Sequence, residues 1–113
     1  MKVLVVDSDE VAGTATARGL SSSHKVRLVP TVSAALRAIE EARPDAVICE
    51  VALTGGECGD VLLSWLRAHH PTIRRIVFAR SALPSSLDVD AAHAWVLKPD
   101  VPRLLWLLRG GGD

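Results

Sequence analysis

The sequence predicts a doubly wound α/β domain built on a five-stranded parallel sheet. Short, continuous apolar runs alternate along the chain with segments of helical spacing, which is the pattern of repeated βα units. The 113 residues suffice for one domain, and 49% hydrophobic against 23% charged residues supply a core. Right-handed crossovers between successive strands then place helices on both faces of the sheet.

The predicted strands are apolar runs that are too short for helices and are bounded by polar or turn-forming residues. They are Val3–Val6, Lys25–Val29, Ala46–Cys49, Arg75–Ala79 and Ala94–Leu97. Runs that stay apolar at successive positions, such as Val3–Val6, indicate strands covered on both faces.

A helical segment follows each strand. The predicted helices run from Asp9 to Leu20, from Thr31 or Ser33 to a stop before Pro44, from about Asp60 to His69, from Pro84 to Ala92 and from Val101 to Arg109. Asp9 is suited to cap the first helix. The side chains expected to face the core are Val11, Ala15 and Leu20, then Val32, Ala35, Leu36 and Ile39, then Val61, Leu62, Trp65 and Leu66, and finally Val101, Leu104, Leu105 and Leu108. We expect residues 1–109 to form the domain and residues 110–113 to be a flexible, glycine-rich tail.

Composition disfavours several classes of function. The formal net charge is zero, from 13 basic and 13 acidic residues, which disfavours direct binding of nucleic acid by this domain. The apolar runs are shorter than a membrane span, and a strand begins at once, so we expect neither a membrane segment nor a signal peptide. The two cysteines, Cys49 and Cys58, do not form a disulfide framework. A cytoplasmic location is expected.

Three charged residues follow predicted strands directly. Asp7 comes after the first strand, Glu50 after the third and Lys98 after the fifth. The functional crevice of an open parallel sheet lies at the carboxyl ends of its strands. We therefore expect these residues to meet, and we expect a salt bridge between Glu50 and Lys98.

Four stretches of the chain carry a family resemblance: Lys2–Asp7, Arg43–Glu50, Pro71–Ala79 and Trp95–Pro99. In order and spacing, and with the Lys98–Pro99 pair, they resemble the receiver domain of two-component response regulators, the CheY-like fold, over nearly the whole chain. The resemblance implies a flavodoxin-like sheet with strand order 2-1-3-4-5. It also implies a domain that takes a phosphoryl group from a histidine kinase onto an aspartate, beside a Mg²⁺ ion held by acidic residues.

The resemblance places six residues at the functional positions of the family: Asp7, Ser8, Glu50, Ala79, Trp95 and Lys98. Asp7 and Lys98 keep the family's first acid and its lysine, and Trp95 matches the switch aromatic. Ser8 stands where a second acid is usual. Glu50 stands at the phosphoacceptor aspartate, and Ala79 at the Thr or Ser that contacts the phosphoryl group.

These replacements predict a pocket that no longer supports phosphoryl transfer. The extra methylene of Glu50 displaces the carboxylate by about 1–1.5 Å, and misplacement on that scale lowers transfer rates about 10²-fold. Ser8 removes a carboxylate, so Mg²⁺ should bind weakly if at all. Ala79 has no hydroxyl to offer. We therefore expect a pseudo-receiver with no cofactor and no enzymatic activity, which acts through contact with protein partners. Whether Glu50 favours an active-like or an inactive-like state stays open.

The last predicted helix is apolar on most of its sides. After its core positions are assigned, Trp106 and Leu107 are left over, so both are candidates for a partner or homodimer interface. The alternative is that these two side chains cover a neighbouring gap in the domain. For Trp95, the alternative to a switch residue is a partly buried residue that packs against the core.

The sequence leaves three other functions open. The domain could be a phosphorylatable receiver that uses Mg²⁺ with Glu50 or Asp7, or the N-terminal regulatory module of a DNA-binding transcriptional regulator. It could also be a small-molecule-binding flavodoxin-like module. The acidic run Asp7–Glu10, with one serine, disfavours the last, because it would repel a phosphate where such modules have a hydroxyl-rich and glycine-rich loop.

Overall fold

A computed structural model describes residues 1–80 and 91–110 of the chain. Five parallel strands form one sheet in the order 2-1-3-4-5, numbered along the chain, as the resemblance implied. The strands are β1 (Lys2–Val6), β2 (Lys25–Val29), β3 (Ala46–Cys49), β4 (Arg74–Ala79) and β5 (Ala94–Leu97). The predicted strands are confirmed to within one residue at each end.

Pairing between the strands aligns their carboxyl ends along one edge of the sheet. Val6 of β1 pairs with Cys49 of β3, and Ala79 of β4 pairs with Leu97 of β5. The residues that follow three of these positions are Asp7, Glu50 and Lys98. The register therefore places the three charged side chains at the same edge, as the sequence predicted.

Four helices are described: α1 (Glu10–Ser21), α2 (Val32–Glu41), α3 (Gly59–His69) and α4 (Val101–Leu108). Side chains cap three of them. Asp9 accepts hydrogen bonds from the N–H groups of the first turn of α1, Thr31 does so for α2, and Asp100 for α4. The capping role predicted for Asp9 is thus confirmed.

The core has two layers, one on each face of the sheet. On the first face, α2 and α3 contribute Ala35, Ala38, Ile39, Leu62, Leu63 and Leu66. On the second face, α1 and α4 contribute Leu20, Leu104, Leu107 and Leu108. β1 and β3 are buried on both sides, because each supplies side chains to both layers. This explains their unbroken apolar runs.

The predicted buried faces of two helices are partly wrong. Val11 is 81% exposed and Ala15 is also exposed, whereas Gly13 and Thr16 of α1 face the sheet with Leu20. A side-chain carbon on Gly13 would lie 2.9 Å from the Cδ1 atom of Leu28 and 3.4 Å from the Cβ atom of Asp7, so α1 lies close to the sheet at this position. Apolar residues alone predicted the wrong buried face for α1, because the residues of α1 that contact the sheet are small or polar.

The third helix shows the same kind of error. Val61, which was expected to face the core, is 63% exposed, and Leu63 is buried in its place beside Leu62 and Leu66. Trp65 is half-buried against the first layer, as expected. Val61, Leu62, Leu63 and Trp65 place apolar side chains on several sides of α3, so the sequence leaves its buried face ambiguous, and packing against the sheet decides it.

The last helix corrects one candidate interface residue. Leu107 is 2% exposed and belongs to the second core layer, so it is not available to a partner. Leu105, which was expected inward, is only partly buried. Trp106 is 42% exposed, and its role as an interface residue stays a prediction.

Two predictions concern parts of the chain that the structure does not describe. The predicted helix from Pro84 to Ala92 falls mainly on residues 81–90, and all of the predicted tail except Gly110 falls on residues 111–113. Both stay predictions. Within residues 1–80 and 91–110, no helix combines the length and the apolar character needed to cross a membrane.

Candidate functional site

The Lys98 side chain lies between two carboxylates at the carboxyl edge of the sheet. Its Nζ donates to Asp7 Oδ2 at 2.7 Å and to Glu50 Oε1 at 2.9 Å. The side chains of Lys98, Asp7 and Glu50 are only 8%, 5% and 12% exposed, respectively. We call Asp7, Glu50 and Lys98 the ion cluster. The predicted Glu50–Lys98 salt bridge is confirmed, and the structure adds a second one to Asp7.

Strand pairing fixes the position of Lys98. Its backbone N–H donates to the carbonyl of Ala79 at 2.8 Å, which extends the pairing of β4 with β5 by one residue. The next peptide bond, Lys98–Pro99, is cis, and α4 begins two residues later at Val101. Strand pairing holds the backbone at Lys98, and the side chain reaches back over the strand ends to Asp7 and Glu50.

Each carboxylate of the ion cluster has a second partner in the backbone. Asp7 Oδ1 accepts from the N–H of Asp9 at 3.0 Å, and Glu50 Oε2 accepts from the N–H of Val51 at 2.8 Å. All four carboxylate oxygens are thus engaged by groups of this chain. Buried carboxylates need such partners, because an unpaired buried charge is strongly destabilising.

The electrostatics of the cluster favour a charged lysine. Burial alone would lower the pKa of Lys98, but the hydrogen bonds and charges of Asp7 and Glu50 outweigh it and hold this pKa above its ordinary value. With Lys98 protonated and both carboxylates ionised, the three groups carry a net charge of −1. The pocket is therefore acidic even with its lysine in place.

Ser8 and Ala79 flank the cluster without joining it. The Ser8 hydroxyl accepts a hydrogen bond from the N–H of Thr54 at 2.9 Å, which ties the β1–α1 loop to the loop after β3. Ala79 is 5% exposed at the end of β4 and brings only a methyl group to the site. Neither side chain contributes a charge to the pocket.

Arg80 and Asp9 form a further ion pair at the rim. Arg80 Nη2 lies 3.1 Å from Asp9 Oδ2, and both side chains are largely exposed, at 71% and 44%. The hydrogen bonds that Asp9 accepts as a helix cap, with Arg80 nearby, outweigh its slight burial and lower its pKa. The sequence analysis missed this pair, although Arg80 follows a strand at the same edge, and that position was the signal that could have found it.

Trp95 is half-buried and packs against the first core layer, three residues before Lys98. Its indole Nε1 is buried and has no hydrogen-bond partner among the described residues. The side chain is thus a packing element of β5 in this structure.

Gly59 is a close-approach residue that the sequence analysis also missed. A side-chain carbon there would collide with the carbonyl oxygen of Glu50 and would lie 2.7 Å from Cys49 Sγ. The first turn of α3 can therefore pass directly beneath Glu50 only because residue 59 has no side chain. Cys49 itself is buried, and burial raises the pKa of its thiol.

The potential metal ligands are dispersed in the described part of the chain. No group of three or more His, Cys, Asp or Glu side chains there is arranged to hold a metal ion. His69 and His70, at the end of α3, pack instead against Trp65, with ring centroids 4.8 and 5.4 Å away.

Solved structures of receiver domains share this fold. A CheY-like receiver domain protein from Methanospirillum hungatei is 23% identical, with a TM-score of 0.86, over 96% of this chain and 90% of that one. The BeF3-activated DrrB receiver domain is 21% identical, with a TM-score of 0.83, over 96% and 94%. NtrX from Brucella abortus is 22% identical, with a TM-score of 0.80, over 96% of this chain but only 26% of its own.

These likenesses lie below 25% identity and establish the fold: the chain has the CheY-like receiver architecture. No protein-family model and no curated protein matches it.

Proposed function

We propose that this domain is a two-component-type receiver that no longer accepts a phosphoryl group and acts through contact with protein partners. The observation that carries the proposal is the ion cluster, in which Lys98 is already held by Asp7 and Glu50 at 2.7 and 2.9 Å. In receivers that lysine contacts the incoming phosphoryl group. Here its partners are two carboxylates of the same chain, so the domain has no enzymatic role in this proposal.

The geometry of Glu50 supports the loss of transfer. One oxygen faces Lys98 and the other accepts from the N–H of Val51, so the carboxylate is fixed at both ends. An attacking oxygen must approach phosphorus in line, and reactivity falls steeply when its position is off by about 1 Å. A glutamate held in this way occupies part of the space that a phosphorylated aspartate would take.

A Mg²⁺ ion fits these residues poorly. It prefers several oxygen ligands, usually carboxylates and waters. The two carboxylates of the cluster face an ammonium group, and Ser8 turns its hydroxyl to Thr54. An incoming ion would have to displace Lys98 from both acids. We therefore propose that the domain works without a metal.

The remaining features of the pocket also oppose a phosphoryl group. Ala79 offers no hydroxyl to its oxygens, and the ion cluster carries a net negative charge that would repel them. Arg80 is engaged with Asp9 at 3.1 Å on the rim. Each feature raises the energy of a bound phosphoryl group. Together they leave Lys98 without neighbouring side chains that would help it to bind that group.

The test is a gain of function in a restored variant. We expect the wild-type chain, incubated with acetyl phosphate and Mg²⁺, to keep its mass. The triple variant Ser8→Asp, Glu50→Asp, Ala79→Thr should gain the mass of one phosphoryl group. A stable adduct on Glu50 or Asp7 of the wild-type chain would overturn the proposal and support the phosphorylatable alternative.

For the partner surface, we propose the outer face of α4. Trp106 is 42% exposed with the Arg103 guanidinium 4.6 Å above its ring, and Leu97 on β5 is 57% exposed. Arg103 also shares a surface depression with Leu97 and Trp95. Exposed aromatic and arginine side chains are typical anchors of protein interfaces. A second copy of this chain is the partner that we propose first.

Size measurement in solution tests this surface. Trp106→Glu should convert a dimer into a monomer with unchanged circular dichroism. Val61→Glu is the matched control, because Val61 is an exposed apolar residue on α3, on the other face of the sheet. A wild-type chain that is monomeric at high concentration would remove the homodimer from the proposal.

A further inference from the structure

A cavity of about 250 Å³ lies at the amino end of the sheet, remote from the ion cluster. It is half open and is bounded by the first residues of β1 and β2, including Arg27, on one side and by the end of α2 on the other. Leu4, Ala38 and Pro44 line it, and all three are buried. The lining is mainly apolar, so the cavity suits a hydrocarbon group.

Small side chains at the end of α2 create this space. Ala38 and Ala42 are the residues of α2 and its C-cap that face the cavity. Ala35 and Ile39 of the same helix pack into the first core layer on either side of Ala38. The last turn of α2 is therefore seated over the sheet without filling the gap beneath it.

Two lysines stand side by side at the mouth of the cavity. Lys2 and Lys25 are direct partners in the β1–β2 register, and both line the cavity. The residues after them, Val3 and Val26, pack into the layer on the α1–α4 face. Because side chains alternate along a strand, both lysines are on the α2 face. Like charges at paired positions of neighbouring strands repel each other.

The described residues do not neutralise this pair. Neither Lys2 nor Lys25 forms an ion pair within residues 1–80 and 91–110. The nearby acids have other partners: Glu41 pairs with Arg27 at 3.1 Å, and Asp45 accepts from the backbone N–H of Lys2 at 2.7 Å. The mouth of the cavity thus carries two ammonium groups that form no ion pair within the described residues, beside the Asp45 carboxylate and the Arg27–Glu41 pair.

From this combination we propose that the cavity binds a small amphipathic carboxylate. Its hydrocarbon tail enters the space beneath Ala38 and Ala42, and its carboxylate lies between Lys2 and Lys25. The volume equals the share of roughly eight water molecules in the liquid, which limits the tail to a short chain. The site is independent of the ion cluster and stands whether or not the domain accepts a phosphoryl group.

Octanoate is the probe, and amide chemical shifts in the full chain are the readout. Saturable shifts at Leu4, Ala38 and Ala42 are expected. Octanol, which lacks the charge, and inorganic phosphate, which lacks the tail, should each bind at least several-fold more weakly. The proposal fails if octanoate does not saturate these shifts, or if either comparison compound binds equally well.

Variants separate the two halves of the site. Lys2→Gln combined with Lys25→Gln should weaken octanoate binding about tenfold, the range of two exposed ion pairs. Arg18→Gln, an exposed cation on α1 outside the cavity, should leave it unchanged. Ala42→Leu should fill the cavity and abolish binding while the other amide shifts stay in place. Unchanged affinity in the double lysine variant would overturn the assignment.

Discussion

At the scale of single residues, Lys98 decides the character of the pocket. It neutralises one of two buried carboxylates and is tied to both, at 2.7 and 2.9 Å. Burying charges is costly, and only good geometry with complete hydrogen bonding compensates for it. Here every carboxylate oxygen has a partner. The cluster therefore holds the strand ends in one arrangement.

Replacing Lys98 tests how strongly the stability of the fold depends on the ion cluster. Lys98→Met leaves Asp7 and Glu50 buried and mutually repulsive, so we expect the free energy of unfolding in urea to fall by about 3 kcal/mol. Arg27→Met is the matched control, because it breaks an ion pair whose side chains are 52% and 61% exposed. That control should lose less than about 1 kcal/mol. Equal losses in the two variants would show that the cluster is not buried as described.

The raised pKa of Lys98 gives a prediction for alkaline pH. A cation whose pKa is higher in the folded chain stabilises it fully below the unfolded-state value, about 10.4, and loses that effect as pH rises through the folded-state value. The stability due to this group should thus be constant from neutral pH to about pH 10 and fall above it.

Urea unfolding at several pH values measures this loss. Lys98→Met should lack the alkaline component, whereas Lys25→Met, which removes an exposed lysine, should keep it. The assignment would be wrong if Lys25→Met removed the component or Lys98→Met retained it.

The sequence predicted the Glu50–Lys98 contact because both residues follow strands of one parallel sheet. It did not predict that Lys98 also bonds Asp7, because that depends on how far the side chain reaches over β1. The buried Arg75 was also unforeseen. Its guanidinium donates to the carbonyls of Pro71, Ile73 and Ala91, and desolvation lowers its pKa. Such a position needs carbonyls from separate loops, which a linear pattern does not reveal.

At the scale of helices and strands, strand bounds were predictable and helix faces were less so. Each strand is a short apolar run between polar residues, so its position can be predicted from the sequence. The faces of α1 and α3 depend on close approach to the sheet. Gly13 and Thr16 are buried in α1 while Val11 is 81% exposed, because the contact with β2 has room only for small side chains there.

Gly59 provides the corresponding test for α3. Gly59→Ala places a methyl group against the carbonyl of Glu50 and the sulfur of Cys49, neither of which can move far. We expect thermal or urea unfolding to show a loss of about 2–3 kcal/mol, the range of overpacked cores. Ser64→Ala, an exposed position in the same helix, should change stability by about 0.5 kcal/mol or less. A neutral Gly59→Ala would contradict the close approach.

At the scale of the whole molecule, one sheet supports both core layers. The alternation of strand and helix was enough to predict this architecture, because right-handed crossovers leave few arrangements of five parallel strands. The strand order itself came from the family resemblance. Of the two candidate interface residues, Trp106 is exposed, whereas Leu107 packs inward because the second layer closes around it.

Shared strands predict that the two layers unfold together. Leu20→Ala in the second layer and Leu62→Ala in the first should each destabilise the chain by about 2–5 kcal/mol, since both side chains are fully buried. Tryptophan fluorescence and far-ultraviolet circular dichroism should give coincident transitions in both variants. Two separated transitions would show that the layers are independent units.

The most direct test of the closed pocket is a titration of the wild-type chain with beryllofluoride and Mg²⁺, followed by amide chemical shifts. Beryllofluoride imitates a bound phosphoryl group, so a pocket able to accept one should respond. We predict no saturable shifts at Asp7, Glu50, Ala79 or Lys98, because Lys98 stays between the two carboxylates. Saturable shifts at those residues, which vanish without Mg²⁺, would contradict the account.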